Sequence, residues 1–227
     1  MKILALEFSS EHRSVAVLQT EDDPPGSSAG VSPVPVISIS RTAPRTLNAF
    51  QLIETTLGKA GLRLEQIECL AVGVGPGSYT GIRAAISIAQ GWQIARAIKL
   101  LAISSVDCLA VRAHAEGIIG HVNLVIDAQR NEFYLASYEI EAVGPRLIEP
   151  LRLATFSEVS ALSKAGSLLV GPEADRWFPE ARVLSPEAGS LAKLAAGRTD
   201  FVSGEKLEPI YLRETNFVKA PPPRVPP

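Results

Sequence analysis

Two acids stand where this chain could do chemistry. Glu7 closes the apolar run Ile3-Leu4-Ala5-Leu6, and Asp127 closes Leu124-Val125-Ile126. A carboxylate at the end of a buried strand, followed by a tight polar turn, could hold a magnesium ion through water while turn N–H groups meet phosphate oxygens. Glu7, Ser9, Asp127 and Arg130 are therefore candidates for a nucleotide cleft. The turns themselves argue that such a cleft is degenerate. Phe8 is bulky, and neither Glu7-Phe8-Ser9-Ser10 nor Asp127-Ala128-Gln129-Arg130-Asn131-Glu132 contains a glycine. The plain alternative is that both acids only stabilise hairpins.

A second candidate is residues 72–91, VGVGPGSYTGIRAAISIAQG, with three glycines and a proline in the first nine residues. A Walker A loop would need a lysine after its last glycine, but Gly81 is followed by Ile82-Arg83. A dinucleotide fingerprint would need a third glycine where Ser78 stands. What remains is a sharp strand-to-helix turn, Gly75-Pro76-Gly77, with Ser78 or Thr80 as helix cap. That helix N-terminus could attract an anion, or the turn could serve packing alone. No zinc spacing links His12, His114 and His121, and no cysteine pair or nucleophile–base arrangement stands out.

Around these residues the chain reads as strands and helices in two rounds. Ile3–Glu7, Ser14–Gln19 and Val36–Ser40 are strands by apolar content and alternation. Thr46–Ala60 is an amphipathic helix, Ile67–Val74 a strand, Ile82–Ile98 a helix and Leu100–Ile103 a strand. Ser104-Ser105 caps a helix through Val111. The second round repeats the first: Leu124–Asp127 mirrors Leu4–Glu7, Phe133–Tyr138 mirrors Ser14–Gln19, and Leu168–Pro172 mirrors Val72–Pro76. A helix near 157–164 matches the one at 46–60, and a short helix lies within 186–198. A β-β-β-α-β unit used twice describes the α/β, actin-like ATPase (ribonuclease H-like) fold, two halves facing across a cleft. The sequence divides into subdomains 1–103 and 104–214 and a proline-rich tail 215–227. The Pro-, Gly-, Ser- and acid-rich stretch 21–35 is an exposed loop.

Hydrophobic residues are 46% of the 227 and charged residues 20%, with a net charge of −2. That balance gives a globular chain without the basic face of a free-standing nucleic-acid binder. The absence of a leader-like start, a spanning apolar run or a disulfide framework predicts a cytoplasmic location without membrane attachment, with Cys69 and Cys108 as buried free thiols.

The ordered blocks carry a resemblance. Val72–Arg83 (with Gly75, Pro76, Gly77, Ser78, Thr80, Gly81 and Arg83 as the loop signature), Ser104-Ser105-Val106, Asp127–Tyr134 and Pro209-Ile210-Tyr211-Leu212-Arg213 together resemble the TsaB (YeaZ) family of tRNA threonylcarbamoyladenosine biosynthesis. The resemblance spans nearly the whole chain. It implies a non-catalytic subunit that lacks the HxxxH metal motif of its paralogue TsaD and pairs with TsaD or with itself. The ATPase TsaE joins that complex. TsaD transfers a threonylcarbamoyl group to the adenosine at tRNA position 37. The family's pairing helices map here to Leu47, Phe50, Ile53 and Leu57 and to Gly81, Ile82, Ala85, Ile86 and Ala89. The small residues of the second helix suit close helix approach, although burial against the sheet would explain them as well. The resemblance further implies that this subunit requires no cofactor of its own, that the complex has room for ATP or ADP, and that tRNA is met only through the complex. The chain departs from the family in its first turn, where Asp-Thr-Ser is common. It also lacks the usual histidine before the helix near Thr46, and the 21–35 loop and the tail are additions. A cleft ATPase using Glu7 and Asp127 is the competing reading.

Overall fold

A computed structural model of the chain describes residues 1–20, 37–42 and 49–213. The whole 21–35 loop, Val36 of the expected third strand, the first residues of the expected 46–60 helix including Leu47, and the 215–227 tail lie outside the described residues. Two five-stranded sheets share one topology. In the first, β1 (Lys2–Glu7) pairs antiparallel with β2 (His12–Gln19), β2 antiparallel with β3 (Ile37–Thr42), and β1 parallel with β4 (Cys69–Gly73). β4 then pairs parallel with β5 (Lys99–Ile103). The second sheet repeats this with β6 (Gly120–Asp127), β7 (Glu132–Glu141), β8 (Gly144–Thr155), β9 (Leu168–Gly171) and β10 (Arg182–Val183). The orders β3-β2-β1-β4-β5 and β8-β7-β6-β9-β10 correspond strand for strand. This is the duplicated arrangement of the actin-like, ribonuclease H-like class.

Alternation along β1 sends residues to two layers. Leu4 and Leu6 join α1 (Ala49–Lys59) and α2 (Tyr79–Ala95) in one core cluster, with Leu52, Ile53, Leu57, Ile82, Ala85, Ile86 and Ala89. Ile3 and Ala5 face the other way, onto α5 (Ala188–Ala196). Small residues on both sides, Ala5, Ala16 and Ala71 against Ala188, Ala192 and Ala195, seat that helix close to the strands. α3 (Ser105–Ala115) lies on the second sheet through Val106, Leu109, Ala110 and Ala113, and also packs on α5. Thus α5 follows the last strand of the second sheet yet covers the first. Its start is held there because the Ser14 hydroxyl accepts from the Ala188 N–H at 2.8 Å. α4 (Phe156–Lys164) covers the far face of the second sheet through Val159.

Helix boundaries follow their caps. Ser78, rather than Thr80, caps α2, accepting from the Gly81 N–H at 3.3 Å, so the helix starts at Tyr79 and ends at Ala95, a turn earlier than the Ile82–Ile98 expected. Ser104 caps α3, which runs beyond Val111 to Ala115.

One sequence expectation is corrected by packing. Ile53, Leu57, Gly81, Ile82, Ala85, Ile86 and Ala89 are all buried within the chain, most of them in one core cluster with β1 and β4, rather than displayed on an outer face. Their 3.6-residue period marks the inward stripe of each helix. Only Phe50 of the described set is exposed, at 53%.

Candidate functional site

The glycine loop lies over the first hairpin turn. The Ser78 N–H donates to the Ser9 carbonyl at 2.6 Å. A Cβ on Gly77 would fall onto that same carbonyl, and a Cβ on Gly81 onto the carbonyl of Phe8. A Cβ on Gly73 would collide with the Glu7 carboxyl. These glycines exist because two backbones and a carboxyl group pass too closely for any side chain.

Glu7 sits underneath, wholly buried. Its Oε1 accepts from the Ser9 N–H at 2.8 Å and its Oε2 from the Ser105 hydroxyl at 2.9 Å. The Ser105 oxygen in turn accepts from the Gly75 N–H at 3.2 Å, and the Ser105 N–H donates to the Gly75 carbonyl. Burial pushes the Glu7 carboxyl above its ordinary value, against the lowering effect of its hydrogen bonds to Ser9 and Ser105. Glu7 therefore does not reach the cleft, and its expected role as a water-mediated magnesium ligand is corrected. Phe8, next to it, is fully buried in the core.

The cleft itself, about 650 Å³, opens between the halves. Ser9, Asp127 and Arg130 do line it, with Gly77 and Ser78 of the loop. Asp127 accepts from the Gln129 N–H at 2.7 Å and from the Gln129 side-chain amide at 3.1 Å. Gln129, Arg130 and Asn131 have φ of 65°, 60° and 60°, three consecutive left-handed residues without a glycine. Arg213 braces this turn, donating to the carbonyls of Ala128 (3.1 Å) and Gln129 (3.3 Å) and pairing with Glu132.

Arg213 belongs to a strap that joins the halves. The Ile210 N–H donates to the Val74 carbonyl, and Tyr211 stacks on Tyr79 of α2. Arg83 donates to the Tyr79 hydroxyl at 2.7 Å and lies 5.0 Å over its ring. The sequence marks 209–213 as one of the blocks that carry the resemblance but not as a bridge. Nor does any spacing join Ser105 to Glu7, 98 positions away. Glu173, which also lines the cleft, could have been found from the duplication, since it follows Gly171-Pro172 as Gly77 follows Gly75-Pro76. Among the described residues no group of three His, Cys, Asp or Glu is placed to hold a metal ion. No helix among them is long and apolar enough to cross a membrane.

Known proteins share this arrangement. A family model described as TsaD, tRNA N6-adenosine threonylcarbamoyltransferase, matches residues 44–184. The tRNA threonylcarbamoyladenosine biosynthesis protein TsaB of Haemophilus influenzae is 27% identical, over 97% of this chain and 98% of that protein. The Escherichia coli protein of the same name is 27% identical, over 94% and 95%. The solved structure of YeaZ from Pseudomonas aeruginosa superposes with a TM-score of 0.74 at 28% identity, covering 93% of this chain and 99% of that one.

Proposed function

The chain belongs to the TsaB (YeaZ) family of tRNA threonylcarbamoyladenosine biosynthesis, and on that premise we propose that it serves the pathway as a docking subunit without chemistry of its own. Its partner is the catalytic paralogue TsaD, and the docking face is the outward side of α1 and α2. The observation that carries this reading is the composition of that side. Thr80, Ser87, Gly91 and Ala95 are exposed along α2, Ala84 and Ile88 half-buried between them, and Ile94 is 89% exposed. Phe50 adds an exposed ring on α1. Small residues with isolated large apolar groups let a second helix approach closely and still bury area. The same face pairs two copies of the chain when TsaD is absent. TsaE joins the TsaD complex, ATP or ADP is held within that complex, and tRNA reaches this subunit only through it. Burial of Glu7 supports this reading over a cleft ATPase, because the first strand's acid is committed to holding the glycine loop.

Co-purification with TsaD tests the face. Ile94→Asp with Ser87→Arg is expected to abolish the complex and leave the melting temperature of the isolated chain within a few degrees. An unchanged complex would overturn the proposal. Ala85→Asp is the wrong test, since a charge at that buried position unfolds the chain itself. In a reconstituted transfer assay, omitting the chain should abolish tRNA modification.

A further inference from the structure

The far face of the second sheet carries aromatic rings that its own packing leaves half uncovered. Phe133 of β7 is buried there in a small apolar cluster. Phe156, at the start of α4, and Trp177, just after the turn Ala174–Arg176, both rest on it, with ring centroids 6.4 and 5.9 Å away. Phe178, itself buried, stacks on Phe156 at 5.6 Å and 19°. Phe156 and Trp177 nevertheless remain 40% and 41% exposed. The rim of this platform is acidic. Among the described residues Arg152 pairs with Glu158 and Arg176 with Glu173, which leaves Asp175 and Glu180 against Arg182.

The chain's own sequence supplies a matching segment close by. The described residues end at Arg213, whose guanidinium is held by Glu132 and by the carbonyls of Ala128 and Gln129. Glu132 and Phe133 are neighbours on β7, so their side chains leave opposite faces of the sheet. Arg213 therefore stands at the end of the strand that carries the platform's floor, one sheet thickness away, roughly 10 Å. The way round passes Asn131, whose carbonyl accepts from the Phe156 N–H at 3.0 Å. Residues 214–219 can span roughly 20 Å. That brings residues 220–227, APPPRVPP, within reach of the rings.

We propose that Phe156 and Trp177 are the docking site of this chain's own segment 220–227. Proline packs well on aromatic rings because its face is apolar and little entropy is lost in fixing it. Pro223-Arg224-Val225-Pro226 has the PxxP spacing. At three residues per turn, a polyproline helix sets those two prolines on one side, roughly 9 Å apart. That separation suits two rings seated on one phenyl group. Arg224, the one charged residue of the segment, meets the acidic rim. The platform lies away from the outward side of α1 and α2, and the inference does not depend on the docking of TsaD.

Acrylamide quenching of tryptophan fluorescence in the full chain tests it. Trp92 and Trp177 are the two tryptophans, and Trp177 is the one in the platform. Pro222→Ala with Pro223→Ala and Pro226→Ala is expected to raise the quenching constant about 1.5-fold as the Trp177 ring regains solvent. The same triple change in a Trp177→Phe chain, where Trp92 alone reports, should raise nothing. Arg224→Glu should give a smaller rise that shrinks with added salt. The proposal is overturned if the triple variant is quenched as the parent is, which would leave the rings to a proline-rich segment of another protein. It is equally overturned if the rise persists in the Trp177→Phe chain. A tethered segment keeps its effective concentration, so protection lost on about tenfold dilution would put one copy's segment on another copy's rings and overturn it too.

Discussion

At the end of β1, Glu7 is sealed from solvent with both oxygens taken by Ser9 and Ser105; at the end of β6, Asp127 lies on the cleft wall and is tied to its neighbour Gln129. The strands around them correspond one for one. What differs is the element that follows the fourth strand of each sheet. In the first half Gly75-Pro76-Gly77 launches α2, 17 residues long, whose first turn lies across Phe8 and Ser9. In the second half Gly171-Pro172 leads into the single 3-10 turn Ala174–Arg176. Gly171 still has its own close approach, to the Val125 carbonyl, so the strand-end contact survives. Without a helix, no roof forms, and the second turn stays open. Both turns line the cleft, but the acid of the first hairpin is sealed beneath a surface helix while the acid of the second stands on the cleft wall.

The largest effect should come from breaking the roof. Gly81→Ala drives a Cβ into the Phe8 carbonyl, a backbone atom that cannot rotate away, so hairpin and helix must separate. A loss of about 3 kcal/mol or more is expected in urea unfolding, and the proposed docking of TsaD should weaken with it because α2 shifts. Glu7 gives the next effect. Glu7→Ala leaves the Ser105 hydroxyl and the Ser9 N–H without their buried acceptor, at a cost of about 2–4 kcal/mol. Glu7→Gln keeps an acceptor for Ser9 and lets the Ser105 oxygen accept from the new amide, so the fold should survive at smaller cost. Both variants also remove a titration that the parent chain has. Because the folded carboxyl titrates above its ordinary value, about 4.3, the native state holds a proton over that interval that the unfolded chain has lost. Stability is thus greatest below the ordinary value and falls as pH rises through the folded one. Glu7→Gln should flatten that slope in the stability–pH profile; an unchanged slope would assign it to other groups.

The topology was legible because it rests on local signals. Alternating apolar residues, Ser78 and Ser104 as caps, and the repeat of an apolar strand ending in an acid all act within a few residues. The duplication even pointed at the cleft. The sides of α1 and α2 were misjudged for a physical reason. The same stripe of Ile82, Ala85, Ile86 and Ala89 satisfies a sheet or a partner helix, and only packing tells which one takes it. The outward residues Ser87, Gly91 and Ile94 have weaker periodicity because solvent imposes none. Glu7 was placed in the cleft for a related reason: strand-end position is visible in sequence, but the loop that covers it arrives from 70 residues downstream, and Ser105 from further still. Tyr211 and Arg213 bridge the halves from the far end of the described chain, again without a local signal.

The smallest effect should appear in the open turn, and there the sign reverses. Gln129, Arg130 and Asn131 each occupy the left-handed region that side chains disfavour. The strain is held in place from outside, by Arg213 on the carbonyls of Ala128 and Gln129 and by the Asp127 carboxylate on the Gln129 N–H. Asn131→Gly removes the unfavourable Cβ without touching either brace, so it should stabilise the chain, by about 0.5 kcal/mol after the glycine's added unfolded-state entropy is subtracted. Glycine introduced into the roofed turn in place of Phe8 would do the reverse, because that ring fills the core. Opposite signs for glycine at the two turns, read in parallel urea titrations, would establish that one hairpin is held by what lies above it and the other by what grips it from the side. If Asn131→Gly instead destabilises by more than 1 kcal/mol, about the usual penalty for glycine in an unstrained position, the turn is not strained, and the Arg213 brace holds no strain in place there.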